Sequence, residues 1–313
     1  MSAKRKPQTL LQAVRYFADI DVATTYFADI RWPQGPVCPK CAGLDHSYLT
    51  TRRVWKCKAC KKQFSVKVGT IFEDSPLGLD KWLPAVWLAA NSKNGISSYE
   101  LGRALGITQT SAWFMLHRIR LAMQTGSFDK LDGEVEVDET LIGGKARNMH
   151  KHVRARKITG TGGKDKTAVV GTLKRGSEAS TSKVRAAVIA DTRRDTLQAH
   201  VRDNIAEGAA VYTDALKSYS GLDRDFEHRT VDHAEKYVDG QVHTNGMENF
   251  WSLLKRGLRG TYISVEPFHL FRYLDERVFT FNLRDLNDLG RFESVLRSCA
   301  GRRLTFAEAT GKN

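Results

Sequence analysis

Four cysteines constrain this chain more than any other feature. Cys38 and Cys41 stand in CPKC, Cys57 and Cys60 in CKAC, and fifteen residues separate the two pairs. Each CxxC turn can offer two thiolates to one ion, and a hairpin between the turns brings the clamps together, as in tetrahedral zinc sites. Disulfides are not expected, because the opening MSAKRKPQTLLQAVRYFADI starts basic, turns amphipathic and acidic, and lacks a small-residue cleavage site. A redox CxxC leaves the second copy unexplained. The pattern predicts a zinc ribbon over residues 36–75, with YLTTRRVWKC and KQFSVKVGTIF as its strands. Cys299 stands alone and reads as a buried or idle thiol.

Charge points to the partner. The chain has 313 residues, enough for two or three modules, and carries 49 Lys and Arg against 35 Asp and Glu, a net charge of +14. Such a balance favours a polyanion, and nucleic acid is the commonest one in the cytoplasm, where the protein is expected. No apolar run approaches the length of a membrane span. Within the ribbon Arg52, Arg53, Lys56, Lys58, Lys61, Lys62 and Lys67 interleave with Trp55 and Phe64, a pattern suited to DNA as well as to a solvated mini-core.

Helical signals flank the ribbon. Residues 1–35 repeat YFADI at 16–20 and 26–30, too few copies for a repeat array, and read as one or two short helices packing on the ribbon. In residues 76–127 one helix fits 80–91. Ser97 or Ser98 then caps YELGRALG, Gly106 makes a turn, and Thr108 caps QTSAWFMLHRIRLAM. Short helix, glycine turn and longer helix form a helix-turn-helix pattern. Plain helical bundles share it, but Arg103, His117, Arg118 and Arg120 beside a basic ribbon favour DNA.

From residue 130 the texture becomes α/β. Strands are expected at GEVEVDETLI, KTAVVGTLKR, KVRAAVIAD, AAVYTD and HRTVDHA, with helices at TLQAHVRDNIAEG and from HTNGMENFWSLLKRG onward, giving a partly antiparallel sheet. Asp138 lies in the first strand on one face with Glu134 and Glu136. Asp214 ends the fourth strand and Glu248 stands in the first turn of the last long helix. Each has a plain alternative: Asp138 as a strand-end residue with Glu136 an equal ligand, Asp214 as a cap for ALKSY, and Glu248 as a capping-box partner of Asn245. Together, in a basic chain, they favour a site for magnesium or manganese, since three converging carboxylates need a counter-charge. Two such ions suit in-line phosphoryl transfer.

On the last helix Lys255 follows Glu248 by seven and shares its face. Met247, Phe250, Trp251, Leu254 and Leu258 form the stripe that would seat it on the sheet, and Ser252, Arg256 and Arg259 flank the polar side. Residues 145–166 hold eight Lys or Arg against one Asp and read as a loop that orders on DNA.

These residues resemble a known family. RWPQGPVCPKC, the paired CxxC ribbon, CKKQFSVKVGTIF, the helix-turn-helix, VDETLIGGK, VYTDALKSY and HTNGMENFWSLLKRGLRGTY look like the zinc-ribbon DDE transposases of bacterial insertion sequences, in the same order over nearly the whole chain. The resemblance implies a multi-domain protein with a ribonuclease-H-like domain and mixed five-stranded sheet over 130–290, followed by a tail at 291–313. It implies Asp138, Asp214 and Glu248 as the DDE triad, and Lys255 as a DNA contact near the scissile phosphate. Thirty-three residues separate Asp214 from Glu248, close to the family pattern. One departure is Ala42 before Gly43, where the family often has glycine directly. The implied activity is binding of terminal inverted repeats, metal-dependent hydrolysis and joining to target DNA, by a homo-oligomer. The rival readings are a nuclease or resolvase without strand transfer, and a DNA-binding regulator with an inert core.

Overall fold

The computed structural model describes residues 5–124, 129–144, 149–158, 165–178, 180–231 and 243–312. The chain forms two units, Met1–Gln124 with Leu286–Asn313, and Thr125–Asp285.

In the first unit the two YFADI copies take different structures. The first ends α1 (Leu10–Phe17), and its Asp19 side chain accepts the Asp21 and Val22 N–H groups to start α2 (Ile20–Arg31). The second copy lies inside α2, with Tyr26 and Phe27 buried. Both helices pack chiefly against α3 (Leu79–Asn91) and α10 (Asp288–Arg297), where Tyr26 Oη donates to Glu293 Oε1 at 2.8 Å. Their contact with the ribbon, expected to be the main one, runs through Trp32 against Trp55 at 5.2 Å and the Arg53–Asp21 ion pair. α4 (Ser98–Leu105) starts with a Ser97–Glu100 capping box and ends at Gly106, whose φ of 63° is left-handed; Thr108 then caps α5 (Gln109–Met123).

The stretch expected as a tail from 291 is part of this unit. α10 and α11 (Phe306–Thr310) are built into it, with Arg291 Nε donating to Asn91 Oδ1 at 2.8 Å. The physical reason is apolar burial, since Phe292, Val295 and Leu296 are almost wholly enclosed.

The ribbon has three antiparallel strands rather than two, β1 (His46–Leu49), β2 (Val54–Cys57) and β3 (Gln63–Phe64). The expected second strand stops at Phe64 because Val66, Ile71 and Phe72 are buried; Phe72 packs 5.0 Å from both Phe27 and Trp82.

The second unit contains β4 (Glu134–Ile142), α6 (Lys151–Lys157), β5 (Thr167–Lys174), β6 (Lys183–Ile189), α7 (Arg194–Asn204), β7 (Ala210–Asp214), β8 (Glu227–Val231), α8 (Asn245–Gly257) and α9 (Leu270–Asn282). The sheet order is β6-β5-β4-β7-β8: β4, β5 and β6 are antiparallel neighbours, while β7 runs parallel to β4 and to β8. Val135, Val137 and Val211 pack with Leu197 and Val201 of α7 on one face. Val169, Leu173 and Val184 pack with α8 and α9 on the other. The four stripe residues of α8 and Leu258 directly after it are all buried, at roughly 1.5–3 kcal/mol each for a fully buried side chain, so packing rather than capping holds this helix. Gly171 makes the approach fit, because a Cβ there would lie 2.2 Å from Met247 Cε and 2.9 Å from Trp251. The basic segment expected as a loop contains α6; its residues 145–148 and 159–164 lie outside the described residues.

Candidate active site and zinc centre

The cysteines meet through local geometry. Cys38 and Cys60 sulfurs are 3.7 Å apart, those of Cys41 and Cys57 3.6 Å, and all four lie within 4.8 Å of one another. A tetrahedron with Zn–S bonds of about 2.3 Å has edges of about 3.8 Å, so the spacing fits zinc. None of the four is in a disulfide. Each pair ends in the same way, with Ala42 and Lys61, directly after Cys41 and Cys60, at φ of 56° and 59°. The Ala42 N–H donates to Cys38 O at 2.9 Å and the Cys38 N–H to Gly43 O at 3.1 Å. Ala42 therefore takes the strained backbone that glycine would adopt freely. Gly43 leaves room for the sulfurs, since its Cβ would sit 3.2 Å from Cys57 Sγ.

The acids come from distant elements. Asp138 is central in β4, Asp214 ends the parallel neighbour β7, and Glu248 is exposed in the first turn of α8. Burial pushes the Asp138 carboxyl up to about 6, and the negative charges of Asp214 and Glu248 push the same way. Two hydrogen bonds oppose the rise, from the Glu139 N–H at 2.8 Å and from Trp251 Nε1 at 3.0 Å. Asp138 thus senses the other two acids, although the cysteines alone among the described residues form a group with ligand atoms within 4.8 Å. Hard oxygens that repel across a partly buried gap suit a divalent cation such as magnesium or manganese.

The alternatives resolve residue by residue. Asp214 Oδ1 accepts the Leu216 N–H at 3.1 Å, so it also holds the turn into ALKSY. Asn245 is not the helix cap: Thr244 takes that place without a side-chain cap bond, which puts Met247 at the third helical position and Glu248 outside any capping box. The orphan Met247 N–H instead donates to Glu136 Oε2 of β4 at 3.0 Å. Glu136, weighed as an equal ligand, is thereby engaged elsewhere.

Sequence patterns missed two participants. Glu139, on the other face of β4, is pushed up to about 7 by burial, against a 2.6 Å hydrogen bond from Tyr219 Oη and with Asp214 and Asp138 adding to the rise. The signal was available in VEVDET, where a strand buried on both faces carries acids on both. Trp251 was read only as packing, yet its indole N–H reaches Asp138.

Of the basic residues expected to contact DNA, Lys255 and Arg259 line a cavity of about 390 Å³ with Leu141, Gly143, Gly144 and Ser264. Burial lowers the Lys255 ammonium, Arg259 lowers it further, and nearby Asp138 raises it. Arg256 is exposed on the same helix. Arg118 and Arg120 correct the expectation, being 5% and 2% exposed. The Arg118 guanidinium donates to the carbonyls of Leu304, Ile71 and Glu73 at 3.0, 3.1 and 2.7 Å, so it joins segments of its own unit. Helix periodicity turned both toward the core. The outward residues of this motif include Tyr99, Glu100 and Arg103 on α4 and, around the start of α5, Thr108 and Thr110. Lys67 of the ribbon is likewise turned inward, to the carbonyls of Ser75 and Leu77.

A cysteine knuckle pair in one unit and a five-stranded sheet carrying Asp138 and Asp214 on neighbouring strands in the other place the chain among zinc-ribbon proteins with an α/β domain. Comparison with known proteins narrows the class. Residues 130–282 match the ISXO2-like transposase domain and residues 21–63 the transposase zinc-ribbon domain. A Halobacterium salinarum protein described as "Uncharacterized protein in transposable element ISH50" is 29% identical over 260 residues, 79% of this chain and 86% of that protein. A Haemophilus influenzae "Uncharacterized transposase-like protein" is 31% identical over 101 residues, 32% of this chain and 81% of its own length. The chain belongs to the ISXO2-like family of zinc-ribbon DDE transposases.

Proposed function

We propose that the protein is an active insertion-sequence transposase that binds the element's terminal inverted repeats, cuts them and joins them to target DNA. The observation that carries this reading is the placement of Asp138 on β4, Asp214 at the end of its parallel neighbour β7 and Glu248 in the first turn of α8. On that helix Trp251 donates to Asp138 at 3.0 Å, and Lys255 lines a cavity with Arg259. The sheet order β6-β5-β4-β7-β8, with β5 antiparallel to its neighbours, supports a ribonuclease-H-like core.

In this reading Asp138, Asp214 and Glu248 would hold two magnesium or manganese ions, which would supply Lewis-acid stabilisation of charge at the reacting phosphate. Trp251 fixes one Asp138 oxygen and the Glu139 N–H the other, so the carboxylate meets its ligand with little reorganisation. Lys255 and Arg259 neutralise phosphates along the bound strand, and Arg256 extends that contact. Water attacks phosphorus and gives up a proton, the bond to the 3′ oxygen breaks and that oxygen takes up a proton. The freed 3′-hydroxyl then loses its proton and attacks a target phosphodiester in line, and the target's own P–O3′ bond breaks to release a protonated 3′-hydroxyl. The helix-turn-helix of α4 and α5 reads the ends through Arg103 and the first turn of α5, which is where recognition helices reach base edges. The basic ribbon adds phosphate contacts. A homo-oligomer on DNA would bring two ends together.

Purified protein, labelled element ends and a target plasmid test the assignment. Asp138→Asn should lower end cleavage and joining by on the order of 10³-fold or more, the scale of several kcal/mol of metal catalysis, while the thermal melt stays cooperative. Joining at the parental rate by Asp138→Asn in magnesium would refute the site. Cleavage without joining by the parent would leave a nuclease.

A further inference from the structure

Beneath the acids lies a buried cluster that touches all three elements carrying them. Glu136, two residues before Asp138, is 1% exposed. Its Oε1 accepts Arg175 Nε at 2.8 Å and lies 3.4 Å from His243 Nδ1, while its Oε2 accepts the Met247 N–H at 3.0 Å. Arg175 Nη2 donates to His243 O at 2.7 Å and lies 3.0 Å from His243 Nδ1. The guanidinium also sits over the Tyr212 ring at 4.2 Å. Tyr212 pairs in register with Glu136 and stands two residues before Asp214, and Met247 directly precedes Glu248.

Residues two apart on a strand face the same way, so Glu136 and Tyr212 lie one step below Asp138 and Asp214. A buried charge pair is seldom the cheapest filling for a core, and apolar residues of similar volume often serve stability as well. What this pair adds is direction, because the planar fork of arginine bonds a carboxylate and a carbonyl at fixed angles that lysine cannot match. Gly246 keeps the space open, as a Cβ there would lie 2.8 Å from Glu136 Oε2.

We propose that Glu136 and Arg175 form a positioning clamp that sets the separation of β4, β7 and the start of α8, and thereby the divalent-cation affinity of the Asp138–Asp214–Glu248 site. The inference rests on reading those three acids as a metal site. Glu136→Gln is the sharpest probe. In either amide orientation one N–H faces the Met247 N–H or the Arg175 Nε–H, so the helix start must shift although shape is conserved.

The experiment uses the full chain without DNA. Manganese is titrated with free ion counted by electron paramagnetic resonance, and melting is followed in chelator. The parent should bind manganese, Asp138→Asn should abolish that binding, and Glu136→Gln and Arg175→Lys should weaken it by about 10- to 100-fold. In a separate assay with element ends and target DNA, excess manganese should restore joining to both clamp variants. Parental manganese affinity in folded Glu136→Gln and Arg175→Lys would overturn the clamp while leaving the acid site standing. Manganese binding unaffected by Asp138→Asn would overturn the acid site and the clamp with it. Tyr212→Leu keeps the Glu136–Arg175 pair while removing the stacking surface and the 3.0 Å bond from Tyr212 Oη to Glu134 Oε1, so it carries the test if the other two fail to fold. Failure of all three to fold would overturn positioning in favour of a purely structural pair.

Discussion

The ribbon and the proposed acid site would each gather ligands for a divalent ion, but by opposite routes. The four thiols are supplied within 23 residues, Cys38 to Cys60, by two knuckles of the same backbone form. The acids come from strands and a helix spread over residues 138–248, and burial together with nearby negative charge resists ionisation of Asp138 and of its neighbour Glu139. A thiol knuckle needs only its ion to finish folding. A carboxylate site needs a finished fold to hold like charges near one another.

That contrast can be broken first at the ribbon. Cys57→Ser, or chelation of the parent, should unfold the ribbon outright, since structural zinc contributes about 10–16 kcal/mol in zinc-finger peptides. Trp55 and Trp32 fluorescence would report it, and the Thr125–Asp285 unit should keep its own melt. A ribbon that stays folded without zinc would end the comparison.

The acid-site unit has its own pH dependence. Burial lowers His200 of α7 to about 4 from an ordinary 6.5, and its Nε2 is buried with no hydrogen-bond partner among the described residues. Because the folded form resists protonation, the stability it contributes is full above about 6.5 and is lost as pH falls toward 4. The loss should reach about 2–3 kcal/mol. His200→Gln should flatten that part of the stability curve in urea unfolding, and equal slopes for parent and variant would contradict it.

Gly171→Ala should separate packing from metal binding in the same unit. Its methyl would meet Met247 and Trp251, so α8 must lift, at about 1–3 kcal/mol for overpacking. Denaturant midpoints measure that loss, and manganese affinity should fall with it as Trp251 leaves Asp138. The smallest effect belongs to the ribbon: Ala42→Gly should stabilise the zinc-loaded form by about 1 kcal/mol by relieving a left-handed alanine, read as resistance to chelator.

Much of this was legible in the chain. CPKC and CKAC fixed the zinc ligands because their geometry is local. The valine-rich strands, the α8 stripe and the caps at Ser97 and Thr108 were readable from periodicity and from side chains that satisfy nearby backbone groups. Arg118 and Arg120 were not, since their charge suggested DNA while their place on α5 faces the core. Asn245 and Glu248 looked like a capping box because helix starts are usually satisfied locally, yet here Glu136 satisfies α8 from 111 residues away. The segment from 291 lacked a local signal for where its apolar face would dock.

By itself, then, the sequence determined the zinc set, the order of strands and helices and the basic character, and it singled out Asp138, Asp214 and Glu248 as the acids we propose for the site. Tertiary structure alone decided that Glu136 and Arg175 lie under those acids, that Trp251 binds Asp138, and that two basic residues of α5 are buried. The division follows from range. Turns, caps and periodic stripes are short-range properties that a few neighbouring residues specify, whereas the facing of charges across a sheet depends on register and on which helix covers it.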